Sequence, residues 1–295
     1  DLSEVRGQER ARRALEIAAA GGHHVLFIGP PGCGKSMLAR RMGGILPPLT
    51  FEEVISTSRI HDAAGLLPEE RLLHSRPFRA PHHTVSLAGL TGGASLRPGE
   101  VSLAHNGVLF LDEAPEFRRA VLESLRTPLE EGVVRLSRAK GSVCYPANIT
   151  LLMAANPCPC GRRGSARPCT CTDTEVNRYR RKLSGPILDR IDVHVELAEV
   201  DTKMLLLSPP SESSTTVRER VVRARKAQHN RGQRGLNGQS TANQNDADLF
   251  LDGSAKLLLI DAANNHQFSA RVTVRLLRVA RTIADLECSE KILVD

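Results

Sequence analysis

The sequence predicts an α/β fold with a mostly parallel sheet, followed by an all-helical region. Short apolar runs at residues 25–28, 108–111 and 149–154 are typical of buried strands. Segments with helical periodicity separate these runs, and strands that alternate with helices favour a parallel sheet. After a Pro- and Ser-rich tract at residues 208–216 the strand signals end. The chain is therefore expected to contain a mixed core followed by helices alone.

Helix formers and apolar spacing predict a first helix at residues 7–20, ended by two glycines, and a second at residues 35–45. Another helix is predicted by apolar residues at every fourth position, namely Phe117, Val121, Leu125 and Leu129. The C-terminal helices are predicted at residues 217–229, 246–264 and 269–286. We expect a core domain at 1–208 and a helical domain at 209–295.

Composition limits the classes of function. The 295 residues carry a formal net charge of +7, which favours polyanionic partners. Aromatic residues make up 3%, with no Trp, so the chain lacks material for the stacking platforms that grip single strands. No apolar run approaches the roughly 18 residues that span a bilayer, and we expect a cytoplasmic protein. Because the chain begins without Met, we expect it to be part of a longer polypeptide.

Residues 29–36 read GPPGCGKS and match the phosphate-binding loop pattern G-x-x-x-x-G-K-[ST] between a strand and a helix. Glycines let backbone N–H groups surround phosphates, Lys35 neutralises the β- and γ-oxygens, and Ser36 ligates Mg²⁺. A chance match in a glycine-rich turn is the alternative. The predicted nucleotide-binding residues are Gly29, Pro30, Pro31, Gly32, Cys33, Gly34, Lys35, Ser36 and Met37.

Polar side chains follow two of the predicted strands. Asp112 comes directly after the second strand and is suited to the Mg²⁺ shell, while Glu113 is suited to accept a proton from the attacking water. Asn156 follows the third strand and is placed to orient that water. As alternatives, the acidic pair caps the next helix, and Asn156 forms a turn before Pro157.

These motifs, together with others, resemble the AAA+ ATPases, in particular the magnesium-chelatase-like branch and its ComM-type, or YifB-type, family. The resemblance covers nearly the whole chain and is carried by residues 29–36, 98–113, 156–161, 184–192 and 277–286. It implies an AAA+ P-loop core with a helical lid, and ATP sites between the subunits of a homo-hexameric ring. In ComM-type proteins it further implies movement along DNA that drives branch migration during recombination of incoming DNA.

The resemblance assigns two arginines to the γ-phosphate. Arg190 corresponds to the arginine finger of the neighbouring subunit, and a planar cation suits the charge that develops on a transferred phosphoryl group. An ion pair with Asp189 or Asp192 is its alternative role. Arg271 corresponds to the lid arginine called sensor 2, acting on its own or a neighbouring nucleotide. The competing arginines on the same broad helix face are Arg275, Arg278 and Arg281.

Residues 133–145 alternate around a basic tip that contains Gly141, which predicts a β-hairpin. In the resembled branch this position is the pre-sensor hairpin, similar to the pore hairpins of replicative helicases. Arg138 and Lys140 are therefore candidates for contacts with DNA phosphates. A tip that is basic only for solubility is the alternative.

Two further segments are candidates for DNA contact. Residues 78–93 correspond to a glycine-rich insert expected to face the pore, and its His82 and His83 either touch DNA or cap the loop. Between residues 218 and 234 seven basic residues accompany only Glu219, which predicts either phosphate attraction or a solvated face. These residues are Arg218, Arg220, Arg223, Arg225, Lys226, Arg231 and Arg234.

Four of the seven cysteines crowd into residues 158–171, in the order C-x-C, eight residues, C-x-C. Four thiolates suffice for tetrahedral Zn²⁺, and a metal would replace the missing apolar core of this loop. Reduced, unliganded cysteines or a redox pair are the alternatives left by the tight C-x-C spacing. The predicted ligands are Cys158, Cys160, Cys169 and Cys171.

We therefore expect a Mg²⁺-dependent ATPase that forms a homo-hexamer and translocates on single-stranded or branched DNA, with Zn²⁺ in the cysteine loop. The alternative is the ATPase motor of a metal-chelatase-type complex that remodels a protein partner and does not bind DNA. The cysteine loop and the basic hairpin favour the first function.

Overall fold

A computed structural model places a five-stranded parallel sheet at the centre of the chain. The structure describes residues 1–67, 72–93, 95–138, 141–199, 207, 209–233, 235–239 and 251–294. The strands are β1 Val25–Ile28, β2 Phe78–Arg79, β3 Val108–Leu111, β4 Val133–Arg138, β5 Gly141–Pro146, β6 Thr150–Ala155 and β7 Val193–Glu196. The sheet has the order β2-β3-β6-β1-β7, and β4 pairs with β5 as a separate antiparallel hairpin.

Both faces of the sheet are buried, which explains the uninterrupted apolar runs of its strands. Along β6, Leu152 and Ala154 face one hydrophobic cluster, whereas Leu151 and Met153 face the other. β6 pairs with β1 on one side and β3 on the other, so Leu26 lies opposite Met153. The predicted α/β fold with a mostly parallel sheet is confirmed.

Helices cover the two faces of this sheet. The helices of the first 190 residues are α1 Glu9–Gly21, α2 Lys35–Ile45, α3 Phe51–Ala63, α4 Leu87–Thr91, α5 Glu100–Leu103, α6 Arg119–Glu123, α7 Arg126–Glu131, α8 Asp173–Arg180 and α9 Gly185–Leu188. Short 3₁₀ helices occur at Leu2–Glu4 and Ala114–Glu116. α3 begins with a capping box, in which Thr50 and Glu53 each accept the other's backbone N–H.

The C-terminal region is helical in its described part. Its helices are α10 Ser214–Asn230, α11 Gly253–His266 and α12 Ala270–Leu286, with a 3₁₀ turn at Asn237–Gln239. α10 packs against α1, α2 and α12, and its Val217 and Val221 belong to the same cluster as Leu15 of α1. The Pro- and Ser-rich tract is partly docked as well, because the Ser214 hydroxyl accepts the Leu2 N–H at 2.7 Å.

Two helix predictions need correction. The single helix predicted through Phe117, Val121 and Leu125 is interrupted twice. Phe117 and Arg118 are extended, and between α6 and α7 the bonding cannot continue through Pro128, which has no N–H. Its apolar residues still face the core. The helix predicted from residue 246 begins at Gly253, where the Asp252 side chain caps it, and residues 246–250 lie outside the described part.

The sheet order determines where functional groups meet. β6 lies between β1 and β3, and the carboxyl ends of parallel strands lie at the same edge. The loops after these three strands, which carry the predicted phosphate and catalytic residues, are therefore neighbours. No helix in the described part of the chain is long and apolar enough to cross a membrane.

Candidate nucleotide site and the surfaces around it

The phosphate loop joins β1 to the N-terminus of α2. Gly32 and Gly34 adopt φ of +80° and +94°, the left-handed region that residues with a Cβ rarely enter. Lys35 is buried, and its Nζ donates to the carbonyls of Gly29 and Pro30 at 2.6 and 2.9 Å. Burial lowers the pKa of Lys35, because the charged form is desolvated. This ammonium lies within the loop where phosphates would lie.

Residues predicted from separate motifs converge on Lys35 and Ser36. Lys35 Nζ donates to Asn156 Oδ1 at 3.1 Å, which joins the end of β6 to the phosphate loop. The Ser36 hydroxyl donates to Asp112 Oδ2 at 2.5 Å, which joins the end of β3 to the start of α2. A hydroxyl beside a carboxylate is the donor set that suits Mg²⁺ next to bound phosphates. These two oxygens would hold the ion.

Glu113 lies next to this group and its side chain is 58% exposed. Its backbone is left-handed, with φ of 49°, and it directly precedes the 3₁₀ helix at Ala114–Glu116. His83 Nδ1 lies 3.9 Å from Glu113 Oε2, while His82 bonds to Thr84. The sequence did not indicate that His83 lies beside the candidate base. β2 ends four residues before His83, and only the order of the strands in the sheet brings His83 near Glu113.

A cleft of about 710 Å³ extends from the phosphate loop. It is bounded by three segments. These are the N-terminal residues 4–8, the phosphate loop together with Met37 and Leu38 of α2, and residues of the cysteine loop. Gln8 links the N-terminal segment to the phosphate loop and to the segment after β7, because its Nε2 donates hydrogen bonds to the carbonyls of Cys33 and Ala198. The involvement of Gln8 and of the cysteine loop was not apparent from the sequence, since no local motif marks it.

Arg190 and Arg271 lie in a different pocket of about 530 Å³. Arg190 is 11% exposed and donates to Glu130 Oε2 at 2.5 Å, and Arg271 approaches Glu130 Oε1 at 3.5 Å. This pairing lowers the pKa of Glu130, because the Arg190 hydrogen bond favours the carboxylate. The described lining of the pocket includes no residue of the phosphate loop. Within one chain the two arginines are thus brought together, but not to Lys35.

Of the three arginines that compete with Arg271, two have structural partners and the third is partly buried. Arg275 donates to the Ile191 carbonyl at 2.9 Å, and the buried Arg281 donates to Asp285 and to the Glu290 carbonyl. Arg278 is partly desolvated, and this burial lowers its pKa. The Arg271 side chain is 55% exposed, and its contact with Glu130 is long, at 3.5 Å. Of the arginines on this helix, it is therefore the one most open to another partner. The ion pair that Arg190 makes is with Glu130, rather than with its sequence neighbours.

The hairpin β4–β5 carries Arg138 at its end, in register with Gly141. Arg138 is exposed, and its guanidinium donates to the Ser137 carbonyl. Lys140, the second predicted DNA contact, lies outside the described residues. The hairpin packs closely against the insert that follows β2. A Cβ atom added at Gly92 of this insert would come within 2.5 Å of the Leu136 side chain of β4.

Three of the seven basic residues in and just after α10 have structural partners, which corrects the expectation that only Glu219 accompanies them. Arg220 pairs with both Glu16 and Glu212, while Arg231 pairs with Asp285 at 2.6 Å. Arg225 donates to the Ala19 carbonyl, and burial lowers its pKa to about 9. Arg234 lies outside the described residues. These partners are distant in sequence, so charge counting along the helix overlooked them.

The four cysteines of the loop form a compact cluster. Their Sγ atoms all lie within 4.8 Å of one another, and Cys158 Sγ is 3.4 Å from Cys160 and 3.7 Å from Cys169. Sulfurs around a tetrahedral zinc with Zn–S bonds of about 2.3 Å are separated by about 3.8 Å. Backbone N–H groups of Arg162 and Thr170 lower the pKa of Cys160 to about 5. Four convergent sulfurs, one readily ionised, fit a divalent metal.

A buried lysine in a glycine loop, a Ser–Asp pair and a polar strand tip, all on this strand order, define the chain as an AAA+ protein with a P-loop core. The family described as "Magnesium chelatase, subunit ChlI" matches residues 1–205, and its C-terminal part matches residues 211–295. The chain belongs to this magnesium chelatase family, and within it to the ComM and YifB type, as the resemblance predicted.

Individual relatives support this membership. The uncharacterized protein YifB of Salmonella typhimurium is 44% identical over 99% of this chain and 58% of its own length. The competence protein ComM of Haemophilus influenzae is 42% identical over 99% of this chain and 57% of its own length. The DNA replication licensing factor MCM6 of rice is 24% identical over 67% of this chain and 22% of its own length. The chain thus spans a little over half the length of the first two relatives.

Proposed function

We propose that this chain is the ATP-hydrolysing part of a ring-forming cytoplasmic motor that moves along DNA. The observation that carries the proposal is the convergence of Lys35, Ser36, Asp112 and Asn156 at one edge of the sheet. These side chains come from three separate motifs, and each has a role in phosphoryl transfer. A structural ion-pair network would not need a phosphate loop beside it.

The residues divide the chemistry among them. Lys35 and the loop N–H groups bind the β- and γ-phosphates, and Ser36 with Asp112 holds Mg²⁺, which neutralises developing charge on the phosphates when bound. Glu113 is exposed beside this group and takes the proton of the attacking water, while Asn156 orients that water. His83 Nδ1 lies 3.9 Å from the Glu113 carboxylate, near enough to interact with it when the imidazole is protonated.

Arg190 and Arg271 act on the nucleotide of a neighbouring copy. This role is supported by their separation from the phosphate loop within one chain and by their joint bond to Glu130. A neighbouring γ-phosphate would replace Glu130 as their anionic partner. ATP sites between copies require a closed assembly, and we propose a homo-hexamer. The core at 1–208 and the helical lid at 209–295 are the two parts that form it, a division supported by the two family matches.

Movement on DNA, and branch migration in recombination, is supported by three observations. One relative is named a competence protein and a distant one is a DNA replication factor. The chain carries a net charge of +7. Arg138 is exposed at the end of the hairpin, with Lys140 two residues further along the sequence, and lysine or arginine at such a tip suits phosphate contacts.

The second candidate is a motor subunit that remodels a protein partner in a metal chelatase, without DNA. The description of the matching family as a magnesium chelatase subunit favours it. The ATP chemistry would be the same in both, so the partner alone separates them.

We also propose Zn²⁺ at Cys158, Cys160, Cys169 and Cys171. The sulfur separations suit a tetrahedral ion, and the N–H of Arg163 points at Cys158 Sγ at 3.4 Å, as is usual for metal-bound thiolates. The ion would fix the loop that follows Asn156.

The test is phosphate release by the full-length protein with Mg²⁺-ATP, alone and with single-stranded or branched DNA. Strong stimulation by DNA is expected, and Lys35→Ala should abolish release because the phosphates lose their buried cation. A protein that hydrolyses ATP but is not stimulated by any DNA would point to the chelatase-type function. Turnover that persists in the Lys35→Ala variant would contradict the assignment of the site.

A further inference from the structure

We propose, on the basis of the ATP site proposed above, that the cysteine loop is a wall of that site and that its Arg162 and Arg167 bind the triphosphate. The metal of the loop would then control nucleotide affinity in addition to stabilising the loop.

The loop is anchored to the catalytic edge at both ends. Cys158 follows Asn156 by two residues, and Asn156 accepts the Lys35 hydrogen bond. On the other side of the cleft the Ala166 N–H donates to Glu199 Oε2 at 3.1 Å, just beyond β7. The loop therefore bridges from β6 to β7 across the cleft beside the phosphate loop.

In its middle, the cysteine loop touches the phosphate loop directly. Gly161 is buried with φ of +76°, and a Cβ there would come within 2.6 Å of Pro31 Cδ. Only glycine permits this approach. A displacement of the cysteine loop would therefore be felt by the loop that holds the phosphates.

Arg162 and Arg167 both line the cleft and are exposed. Among the described residues, neither guanidinium has a carboxylate within 4 Å or a side-chain hydrogen bond. Arg163 differs, because it pairs with Asp173 at 2.9 Å and does not line the cleft. Unpaired guanidinium groups that line the same cleft as residues 30–34 of the phosphate loop fit a polyanion with several oxygens. In this protein that ligand is the triphosphate of ATP.

The metal determines where these arginines lie. Both lie between the two C-x-C pairs, and the described residues 159–173 contribute no large apolar side chain to the core. Without the ion, four thiolates would no longer close the loop, and both guanidinium groups would lose their fixed position. Loss of metal is therefore expected to weaken nucleotide binding even though Lys35 and Ser36 are untouched.

The experiment is equilibrium binding of a fluorescent, non-hydrolysable ATP analogue to the full-length protein with Mg²⁺, followed by anisotropy. Arg162→Ala combined with Arg167→Ala should raise the Kd about 10- to 100-fold. The control, Arg163→Ala combined with Arg181→Ala, removes the same charge from exposed positions and should change the Kd less than twofold. All four side chains are exposed, so thermal unfolding should stay close to that of the unmodified protein.

Lys35→Ala makes the outcomes distinguishable. If Lys35→Ala abolishes binding while Arg162→Ala with Arg167→Ala leaves it unchanged, the inference is wrong and the ATP site stands. If the control pair weakens binding as strongly as the test pair, general charge explains the effect and the inference is again wrong. If Lys35→Ala binds normally, the proposed ATP site itself fails.

The same binding measurement, made with and without the metal, completes the test. Removing zinc with a chelator should weaken binding of the analogue to a similar extent, and returning Zn²⁺ should restore it. Full affinity in protein shown to contain no metal would overturn the proposed control by the ion.

Discussion

The nucleotide cleft and the arginine pocket differ in how far one chain completes them. At the nucleotide site beside the cleft, Lys35 already contacts two loop carbonyls and Asn156, and Ser36 contacts Asp112. In the pocket, the ion-pair partner of both arginines is Glu130, which a phosphate could replace, and Arg190 also donates to the Pro186 carbonyl at 2.7 Å. The nucleotide site is organised to bind a ligand within one chain, whereas the arginine pocket is organised to interact with another molecule. On the function proposed above, binding would belong to one copy and catalysis to two.

Arg190→Ala gives the largest expected effect. ATP turnover should fall about 1,000-fold or more, the range for loss of an arginine finger, because charge on the transferred phosphoryl group loses its planar cation. ATP affinity should remain close to normal, since the arginine does not touch its own cleft. Arg181→Ala, an exposed arginine outside both pockets, is the control. A loss of affinity equal to the loss of turnover would place Arg190 in its own cleft and break the comparison.

Glu113→Gln tests the cleft itself. Turnover should fall by about 100- to 10,000-fold because the amide cannot take a proton, while ATP should still bind. Lys35→Ala should do the reverse and lose binding first. Nucleotide retention on the purified protein, measured beside phosphate release, separates the two variants. A Glu113→Gln protein that no longer binds ATP would show that the carboxylate serves binding.

The hairpin is a third surface, and its effect should be smaller. Arg138→Ala with Lys140→Ala should weaken DNA binding and reduce the slope of log affinity against log salt by roughly two, one for each lost phosphate contact. Arg135 is exposed on the same strand but pairs with Glu131, so Arg135→Ala is the matched control. An unchanged salt slope in the double variant would remove the hairpin from the contacts.

The smallest effect concerns the sheet that holds both regions. His105 is buried and accepts the Asn148 N–H just before β6, and burial lowers its pKa to about 4. The unfolded chain binds this proton near pH 6.5, so stability should fall as pH drops from about 6.5 towards 4, by up to about 3 kcal/mol. Urea unfolding at pH 7 and 5 measures this, with His105→Gln as the variant expected to flatten the dependence. An equally steep dependence in His105→Gln would assign the acid sensitivity to other groups.

The sequence predicted the parts of the site that depend on local pattern. The glycine loop, the acidic strand tip and Asn156 each follow an apolar strand, and the parallel order brings them together. What the sequence could not show depends on distant partners. Arg220 and Arg231 looked free because Glu16 and Asp285 are far along the chain. The position of His83 beside Glu113 likewise depends on which strands are neighbours.

The apolar spacing of Phe117, Val121, Leu125 and Leu129 shows a second limit. Spacing identified the face that packs on the core, and that part of the prediction was right. The spacing did not predict that the helix is interrupted. Pro128 lacks an N–H and so contributes to the interruption, yet the same residues remain buried. Periodicity reports burial better than it reports continuity of hydrogen bonding.

The most direct test of hydrolysis at the seam between copies is complementation in mixed assemblies of the full-length protein. Arg190→Ala and Glu113→Gln should each be nearly inactive alone. Mixed together, they should regain turnover at seams where an intact Arg190 meets an intact Glu113. Recovery that rises to a maximum at intermediate ratios is the predicted result. No recovery at any ratio, with mixing of subunits verified, would contradict the account.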